Sequence, residues 1–271
     1  MDRYVVIGNP VSHTLSPDIQ ARFAASLGER IEYGKLQVPL GEFDTHARRF
    51  FETGGHGANV TLPFKVDAFR FAQFASERAC LAGAANFLAR RGDRIEADNT
   101  DGAGLVADLI GNLALQLRGA RILLLGAGGA ARGVIGPLLA LEPAELVIAN
   151  RTPERAADLA RMFGHLGAVR AASLDAIPDE RHALVINATS TSTRGEALAI
   201  DARILAPGVL AYDMAYGDPA KPFLQRARQC GARACDGLGM LVEQAAESYF
   251  LWRGRRPDAR AVLAQLRMFA A

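Results

Sequence analysis

The stretch Arg121–Ala131, RILLLGAGGAA, decides the fold. Arg121–Leu125 is nearly all apolar, the pattern of a parallel strand buried on both faces. Gly126, Gly128 and Gly129 follow at once, and Ala130 and Ala131 open a helical pattern running to about Ala140. Strand, GxGxxA turn and helix in this order make the phosphate-binding turn of a dinucleotide fold. The physics is local. Gly126 permits a tight turn, Gly128 lets a pyrophosphate approach bare backbone, and Ala131 lets helix and strand pack closely. The helix start then points unpaired N–H groups and a positive dipole end at the phosphate. Gly126, Ala127, Gly128, Gly129 and Ala130 are therefore candidate cofactor-binding positions.

The next strand, Glu145–Ala149, selects the cofactor by what stands at its end. Folds that bind NAD place Asp or Glu there to hold the ribose 2′-hydroxyl. Here the residues are Asn150, Arg151 and Thr152, with Arg155 one helical turn later. Guanidinium forks suit a phosphate, so the strand end predicts a 2′-phosphate site and NADP(H) as cofactor.

Composition sets outer bounds. The chain has 271 residues, enough for two domains with separate cores. Half its residues are hydrophobic and 22% are charged, which suits a globular protein. A net charge of +2 gives no reason to expect a nucleic-acid partner. Cys80, Cys230 and Cys235 lack metal or redox spacing, so reduced thiols and a cytoplasmic location are expected, with no metal. The chain runs directly into a strand at Tyr4–Gly8, so no secretory signal is expected. No apolar run reaches the ~18 residues a membrane helix needs. The expected partner is a small-molecule substrate, and the expected assembly a monomer or homodimer.

Strand and helix signals alternate along residues 1–101. Tyr4–Gly8, Glu32–Val38 and Gly57–Leu62 read as strands, and Ala85–Arg90 with Arg94–Asp98 as a hairpin. Ser16, Pro17 and Asp18 read as the N-cap and first turn of a helix, and Phe43–Glu52 as a second. Pro63 is expected to open a third, with Phe64, Phe71 and Phe74 packing. Gly102–Leu117 reads as one helix. Parallel strands follow at Arg121–Leu125, Glu145–Ala149, Val169–Ala172, Ala183–Asn187, Val209–Asp213 and Ala232–Cys235, with helices between them. Met240–Trp252 and Asp258–Met268 are helices with no strand after them. The expected architecture is α/β with two domains. They are an N-terminal α/β substrate domain (1–101) and a doubly wound Rossmann-type NADP domain (102–237). The C-terminal helices (238–271) return to the first domain.

Four polar clusters stand in apolar surroundings. Ser12–Pro17 gathers hydroxyls at a helix start, where a carboxylate can be held; Ser16 acting as a simple cap is the plainer reading. Asn59–Lys65 places Asn59 and Thr61 on one strand face by alternation, with Lys65 one turn into the next helix. A lone lysine is by default solvated. Asp98–Gly102 is a dense polar stop that could also be only a helix cap. In Gly237–Gln244, Gln244 falls on a mostly apolar helix.

Together these motifs resemble the shikimate dehydrogenase family along nearly the whole chain. The resemblance includes Gly8-Asn9-Pro10, His13–Pro17, Asn59–Lys65, Ala82–Asn86, Asp98–Gly102 and Gly126–Ala131. It continues through Asn150–Thr152, Asn187–Ser190, Tyr212–Met214 and Gly237–Leu241. The family reduces 3-dehydroshikimate to shikimate with NADPH, in aromatic amino-acid (chorismate) biosynthesis. The resemblance implies Lys65 and Asp101 as the catalytic pair and Thr14 and Ser16 as carboxylate-binding hydroxyls. It also implies Asn59, Thr61, Asn86, Tyr216 and Gln244 at or near the ring hydroxyls. Thr189, Met214, Gly237, Met240 and Glu77 would line the cofactor. Two positions depart from the family pattern: Thr14 replaces the usual Ser, and Phe87 replaces the common Thr after Asn86. Both bear on substrate preference and leave the reaction class intact.

The implied chemistry suits the residues. Reducing a ketone with hydride builds negative charge on its oxygen, and a cationic proton donor beside that oxygen stabilises it. Lys65 is such a group, and Asp101 can orient it. Three alternatives have sequence signatures. A quinate/shikimate dehydrogenase using NAD would lack Arg151 and Arg155. A catalytically silent NADP-binding sensor would have lost Lys65 or Asp101. A methylene-tetrahydrofolate-type dehydrogenase fits the His13–Pro17 and Asp98–Gly102 runs poorly.

Overall fold

In the computed structural model, which describes residues 1–192, 196 and 198–270, strand β1 (Asp2–Gly8) runs parallel to β2 (Ile31–Gln37) and β3 (Gly55–Val60), between them. The chain divides into two units, Met1–Gly104 with Leu241–Ala271, and Leu105–Met240.

The first unit holds a six-stranded mixed sheet in the order β2-β1-β3-β5-β6-β4, where β4 is Phe74–Ala75, β5 Phe87–Arg91 and β6 Arg94–Asp98. β5 is antiparallel to both β3 and β6. Helices α1 (Ser16–Ser26), α2 (Phe43–Glu52), α3 (Lys65–Phe71) and α4 (Glu77–Ala82) cover it, and α5 (Asp101–Ala107) follows β6 in sequence. Helix α2 buries Phe43, Ala47, Phe50 and Phe51, one helical stripe, against Ile7, Val60 and Leu88. A second cluster joins Tyr4, Phe87, Ala89 and Trp252. Gly57 is required there: a Cβ on it would lie 2.2 Å from the Trp252 Nε1. That indole N–H donates to the Leu88 carbonyl at 3.0 Å.

The second unit is a parallel sheet in the order β12-β11-β10-β7-β8-β9. Its strands are β7 (Arg121–Leu125), β8 (Glu145–Asn150), β9 (Val169–Ser173), β10 (Leu184–Asn187), β11 (Leu210–Asp213) and β12 (Arg233–Cys235). This is the dinucleotide order 3-2-1-4-5-6, which reverses direction between β7 and β10. Helices α6 (Gly129–Leu139), α7 (Pro153–Phe163) and α8 (Lys221–Gln229) connect strands, α9 (Leu238–Arg253) follows β12, and α10 (Ala259–Ala270) ends the chain. Ile122, Leu123, Leu124 and Leu125 are fully buried, as a strand covered on both faces requires. The α/β reading, the Rossmann-type order and the return of the last helices to the first unit are all observed.

Several local expectations are corrected. Ser16 does not cap α1. It is the helix's first residue, and its N–H donates to the Thr14 hydroxyl at 3.2 Å. Lys65 begins α3 instead of lying a turn inside it. Phe74 sits on the short β4 and is half exposed, because the chain leaves the helix at Ala72. Gly102–Leu117 is not one α-helix. After α5 the backbone widens into a π-helical turn, Asp108–Asn112, and the Leu113 N–H reaches back to the Asp108 carbonyl at 2.9 Å. The Asp108 carboxylate explains the bulge: it accepts from the Asn112 amide at 3.0 Å and the Tyr212 hydroxyl at 2.8 Å. The expected helices between β9 and β10 and between β10 and β11 are, among the described residues, 3₁₀ turns at Leu174–Ala176 and Ala202–Leu205.

Candidate active site

In the first unit, β3 ends at Val60, and buried Phe64 anchors the turn that leads into α3. The Lys65 carbonyl accepts from the Ala85 N–H at 2.8 Å, so the backbone under the side chain is fixed. Asp101 opens α5, its N–H held by the Asn99 side chain at 3.1 Å. The two side chains meet: Lys65 Nζ lies 2.6 Å from Asp101 Oδ2. The ammonium side chain is 18% exposed and the carboxylate 7%, so the pair is sheltered yet reachable. Asp101 Oδ1 accepts from Asn86 Nδ2 at 2.8 Å. Both carboxylate oxygens are thus engaged, which fixes the lysine's partner in orientation.

Asn86 links this pair to α9. Its amide also faces Thr100 Oγ1 at 2.9 Å and Gln244 Oε1 at 3.1 Å, and its oxygen accepts from the Thr100 N–H at 2.7 Å. Ser248, one turn beyond Gln244, lies 3.2 Å from Thr100 Oγ1 and accepts from Asn59 Nδ2 at 2.9 Å. Tyr33 donates to Asn59 Oδ1 at 2.8 Å. Burial around the Tyr33 hydroxyl pushes its pKa far above the usual range, only partly opposed by a hydrogen bond with Ser16. Ser16 Oγ in turn lies 3.0 Å from Thr14 Oγ1. A hydrogen-bonded line therefore runs from Tyr33 through Asn59, Ser248, Thr100, Asn86 and Asp101 to Lys65, with the hydroxyl pair of Thr14 and Ser16 near its Tyr33 end. Thr61 follows β3, and its methyl packs where a side chain on Gly8 would be, 2.5 Å from that Cβ position.

Tyr33, Thr100 and Ser248 belong to this line and were not singled out from the sequence as site residues. Ser248 had a signal, since it sits four residues after Gln244 on one helix face. Thr100 lies inside the Asp98–Gly102 run. Tyr33 had none, because one tyrosine in a strand is ordinary.

The cofactor candidates of the second unit surround the end of β7. Gly126 has φ +109°, a value that favours glycine, and a Cβ there would lie 3.0 Å from the Ala188 carbonyl beyond β10. Cβ atoms on Gly128 and Gly129 would meet nothing within 4 Å, so bare backbone at the start of α6 faces open space. That cradle fits a pyrophosphate. At the end of β8, the Asn150 amide closes the turn onto the Thr152 carbonyl at 2.9 Å. Arg151, Thr152 and Arg155 are exposed, and neither arginine has an ion-pair partner among the described residues. Two free guanidinium groups beside the cradle fit a 2′-phosphate.

Thr189 and Met214 are held by a buried network. Asn187 Oδ1 accepts from the Thr189 hydroxyl at 2.7 Å, and the Asn187 carbonyl accepts the Met214 N–H at 3.0 Å. Asn187 and Ser192 both donate to Asp213 Oδ2, at 3.0 and 2.6 Å. Burial pushes the Asp213 carboxyl pKa up despite these donors. Gly237 allows close backbone approach, since a Cβ on it would lie 2.4 Å from the Met214 carbonyl oxygen. Met240 is buried. Tyr216 belongs to the second unit, on the turn after β11. Glu77 belongs to the first unit and stands exposed at the start of α4.

Comparison with known proteins covers both units. Residues 6–88 match the shikimate dehydrogenase substrate-binding domain, and residues 108–200 match the shikimate/quinate 5-dehydrogenase family. Residues 237–267 match the shikimate 5′-dehydrogenase C-terminal domain. A Cupriavidus taiwanensis protein named shikimate dehydrogenase (NADP+) is 50% identical, covering 98% of this chain and 93% of its own. The chain belongs to the shikimate dehydrogenase family. Among solved structures, an Ael1 enzyme from Pseudomonas putida is 46% identical with a TM-score of 0.93, covering 98% of each chain. The Thermus thermophilus shikimate 5-dehydrogenase, solved with NADP(H) and shikimate, is 31% identical with a TM-score of 0.86 over 99% of each chain.

Within this shikimate dehydrogenase fold, one of the two sequence departures has a packing explanation. Phe87 stacks on Trp252, ring centroids 5.2 Å apart and planes at 26°. Its side chain is core, and Asn86 beside it carries the polar contacts. Thr14 keeps its hydroxyl on Ser16. Among the described residues no helix is long and apolar enough to cross a membrane, and no cluster of His, Cys, Asp and Glu could hold a metal ion.

Proposed function

We propose that this chain catalyses the reversible NADP-dependent interconversion of 3-dehydroshikimate and shikimate, in the cytoplasm, as a step of aromatic amino-acid and chorismate biosynthesis. The observation that carries the reading is the sheltered 2.6 Å pair of Lys65 and Asp101, set in a line of side chains suited to a carboxylated polyol. The name of the C. taiwanensis relative and the NADP(H)–shikimate complex of the T. thermophilus enzyme support it.

The bound nicotinamide supplies the hydride in one direction and accepts it in the other. This chain's residues do the rest. Thr14 and Ser16 donate their hydroxyls to the substrate carboxylate. Asn59, Thr61, Asn86, Gln244 and Tyr216 orient the ring hydroxyls. Lys65 gives a proton to the ketone oxygen as charge builds there and regains one from solvent; in the oxidative direction its neutral amine takes the alcohol proton. Asp101, anchored by Asn86, orients that ammonium and accepts from the neighbouring hydroxyl. Gly126–Ala130 would hold the pyrophosphate, and Arg151 and Arg155 the 2′-phosphate. Glu77, Asn150, Thr152, Thr189, Met214, Gly237 and Met240 would complete the cofactor's surroundings.

Thr14 bears on substrate choice. Quinate carries an extra hydroxyl on a tetrahedral carbon beside the carboxylate and needs more room there. The branched Cβ of threonine is stiff, and a methyl-sized misfit is worth about 10–200-fold in kcat/KM. A spectrophotometric assay crossing shikimate and quinate with NADP and NAD tests the reading. Shikimate with NADP should give the highest kcat/KM, and Thr14→Ser should narrow the gap to quinate. No turnover of shikimate with NADP would overturn the assignment; equal or better turnover of quinate would replace it with a quinate/shikimate dehydrogenase.

A further inference from the structure

The sequence contains three lysines, Lys35, Lys65 and Lys221. Lys65 meets Asp101 at 2.6 Å, and Lys221 meets Asp218 at 2.5 Å. Lys35 forms no ion pair among the described residues. Its Nζ instead donates to the Ser12 carbonyl at 2.5 Å. Ser12 stands two residues before Thr14, in the loop that delivers both clamp hydroxyls.

Its contact to Ser12 places this ammonium at the loop that carries the clamp. Lys35 and Tyr33 are two residues apart on β2, so their side chains leave the same face of the sheet. Tyr33 is already in the line of site residues, donating to Asn59 at 2.8 Å, with the Ser16 hydroxyl near its own. The loop is tied to the same strand region a second time, through Asn9 Nδ2 and the Val38 carbonyl at 2.9 Å.

A carboxylate taken up by two hydroxyls brings a full negative charge with no counter-charge. Lys65, in the same line of side chains, is already paired with Asp101. We propose that Lys35 is a substrate-affinity residue, whose ammonium supplies the counter-charge for the carboxylate held by Thr14 and Ser16. The proposal rests on the reading of that pair as the carboxylate clamp. It makes Lys35 select for an anionic ring substituent over a neutral one of the same shape. Because the lysine is exposed, water and salt screen its field, and the effect is moderate.

The test pairs a charge change in the protein with one in the ligand. Lys35→Gln and Lys35→Arg are compared with the unmodified chain at saturating NADP, using shikimate and its neutral carboxamide, at low and physiological salt. Lys35→Gln should raise the shikimate KM about three- to thirtyfold at low salt, with kcat within about twofold. It should leave the carboxamide KM unchanged and flatten the salt dependence, while Lys35→Arg keeps near-normal behaviour. An unchanged shikimate KM in Lys35→Gln would overturn the proposal. So would equal weakening of both ligands, which would make Lys35 only a brace for the Ser12 loop. The unmodified chain's own turnover of shikimate reads the underlying assignment separately, and its absence would overturn both.

Discussion

At the scale of single residues, the proposal gives the cofactor choice to Arg151 and Arg155. Both are exposed at the end of β8, and neither meets a carboxylate among the described residues. A charge-assisted contact to a phosphate contributes about 1.5–3 kcal/mol, or about ten- to a hundredfold in affinity. Arg151→Ala should therefore weaken NADP(H) by that factor in a fluorescence titration and leave NAD(H) nearly unaffected. Equal losses with both would show that Arg151 does not contact the 2′-phosphate. Residues of this kind were legible because their chemistry is carried in local sequence: a strand end, a missing acid, two guanidinium groups. The Lys65–Asp101 contact was not legible from spacing, since the two are 36 positions apart with both strands of a hairpin between them; only the family resemblance joined them. Tyr33 carries no local signal, because its contact is a hydroxyl reaching across the sheet to Asn59.

At the scale of elements, the long strands followed their apolar runs, and departures came where side chains compete with the backbone. The π-helical turn at Asp108–Asn112 forms around a buried carboxylate that Asn112 and Tyr212 both contact, and Tyr212 lies 104 residues away. No helical periodicity encodes that. The lead-in to β10 shows a different conflict. His182 is buried, and among the described residues neither ring nitrogen has a hydrogen-bond partner. It sits near a charged cluster in which Arg170 meets Glu145 at 2.9 Å and Glu180 at 3.0 Å, and Arg121 meets Glu180 at 3.0 Å. Burial lowers the His182 pKa, opposed in part by Glu180 and Glu145. Below its ordinary value of about 6.5 the unfolded chain takes up a proton that the folded chain resists. The stability contributed by neutral His182 is thus full above that pH and declines as pH falls through it. Denaturant unfolding at pH 7.5 and 5.5 should show a smaller loss in His182→Met than in the unmodified chain. Identical losses would mean that His182 does not titrate on unfolding in this window.

At the scale of the whole molecule, two sheets, each with its own core, follow from two kinds of strand pattern. The four inner strands of the second unit, β7, β8, β10 and β11, are largely buried runs around one glycine turn, so the doubly wound pattern was legible from their repetition. The first unit mixes parallel strands with a hairpin, and its short β4 and α4 carried no readable signal. The last helices were expected to cover the first unit because no strand follows for them to pack on. Trp252 shows how specifically they do so, filling the space that Gly57 leaves. Packing of this kind places Gln244 and Ser248 of α9 against Thr100 and Asn86, and so completes the surroundings of Lys65 and Asp101. In the proposed reaction this pair moves the proton during NADP-dependent oxidation of shikimate. The most direct test is kcat of Lys65→Ala with shikimate and NADP, beside the Kd for NADP. kcat should fall about 10²–10⁴-fold while the Kd barely changes, because the proposed cofactor cradle lies in the other unit. A near-normal kcat would contradict it and make Lys65 a surface charge paired to Asp101.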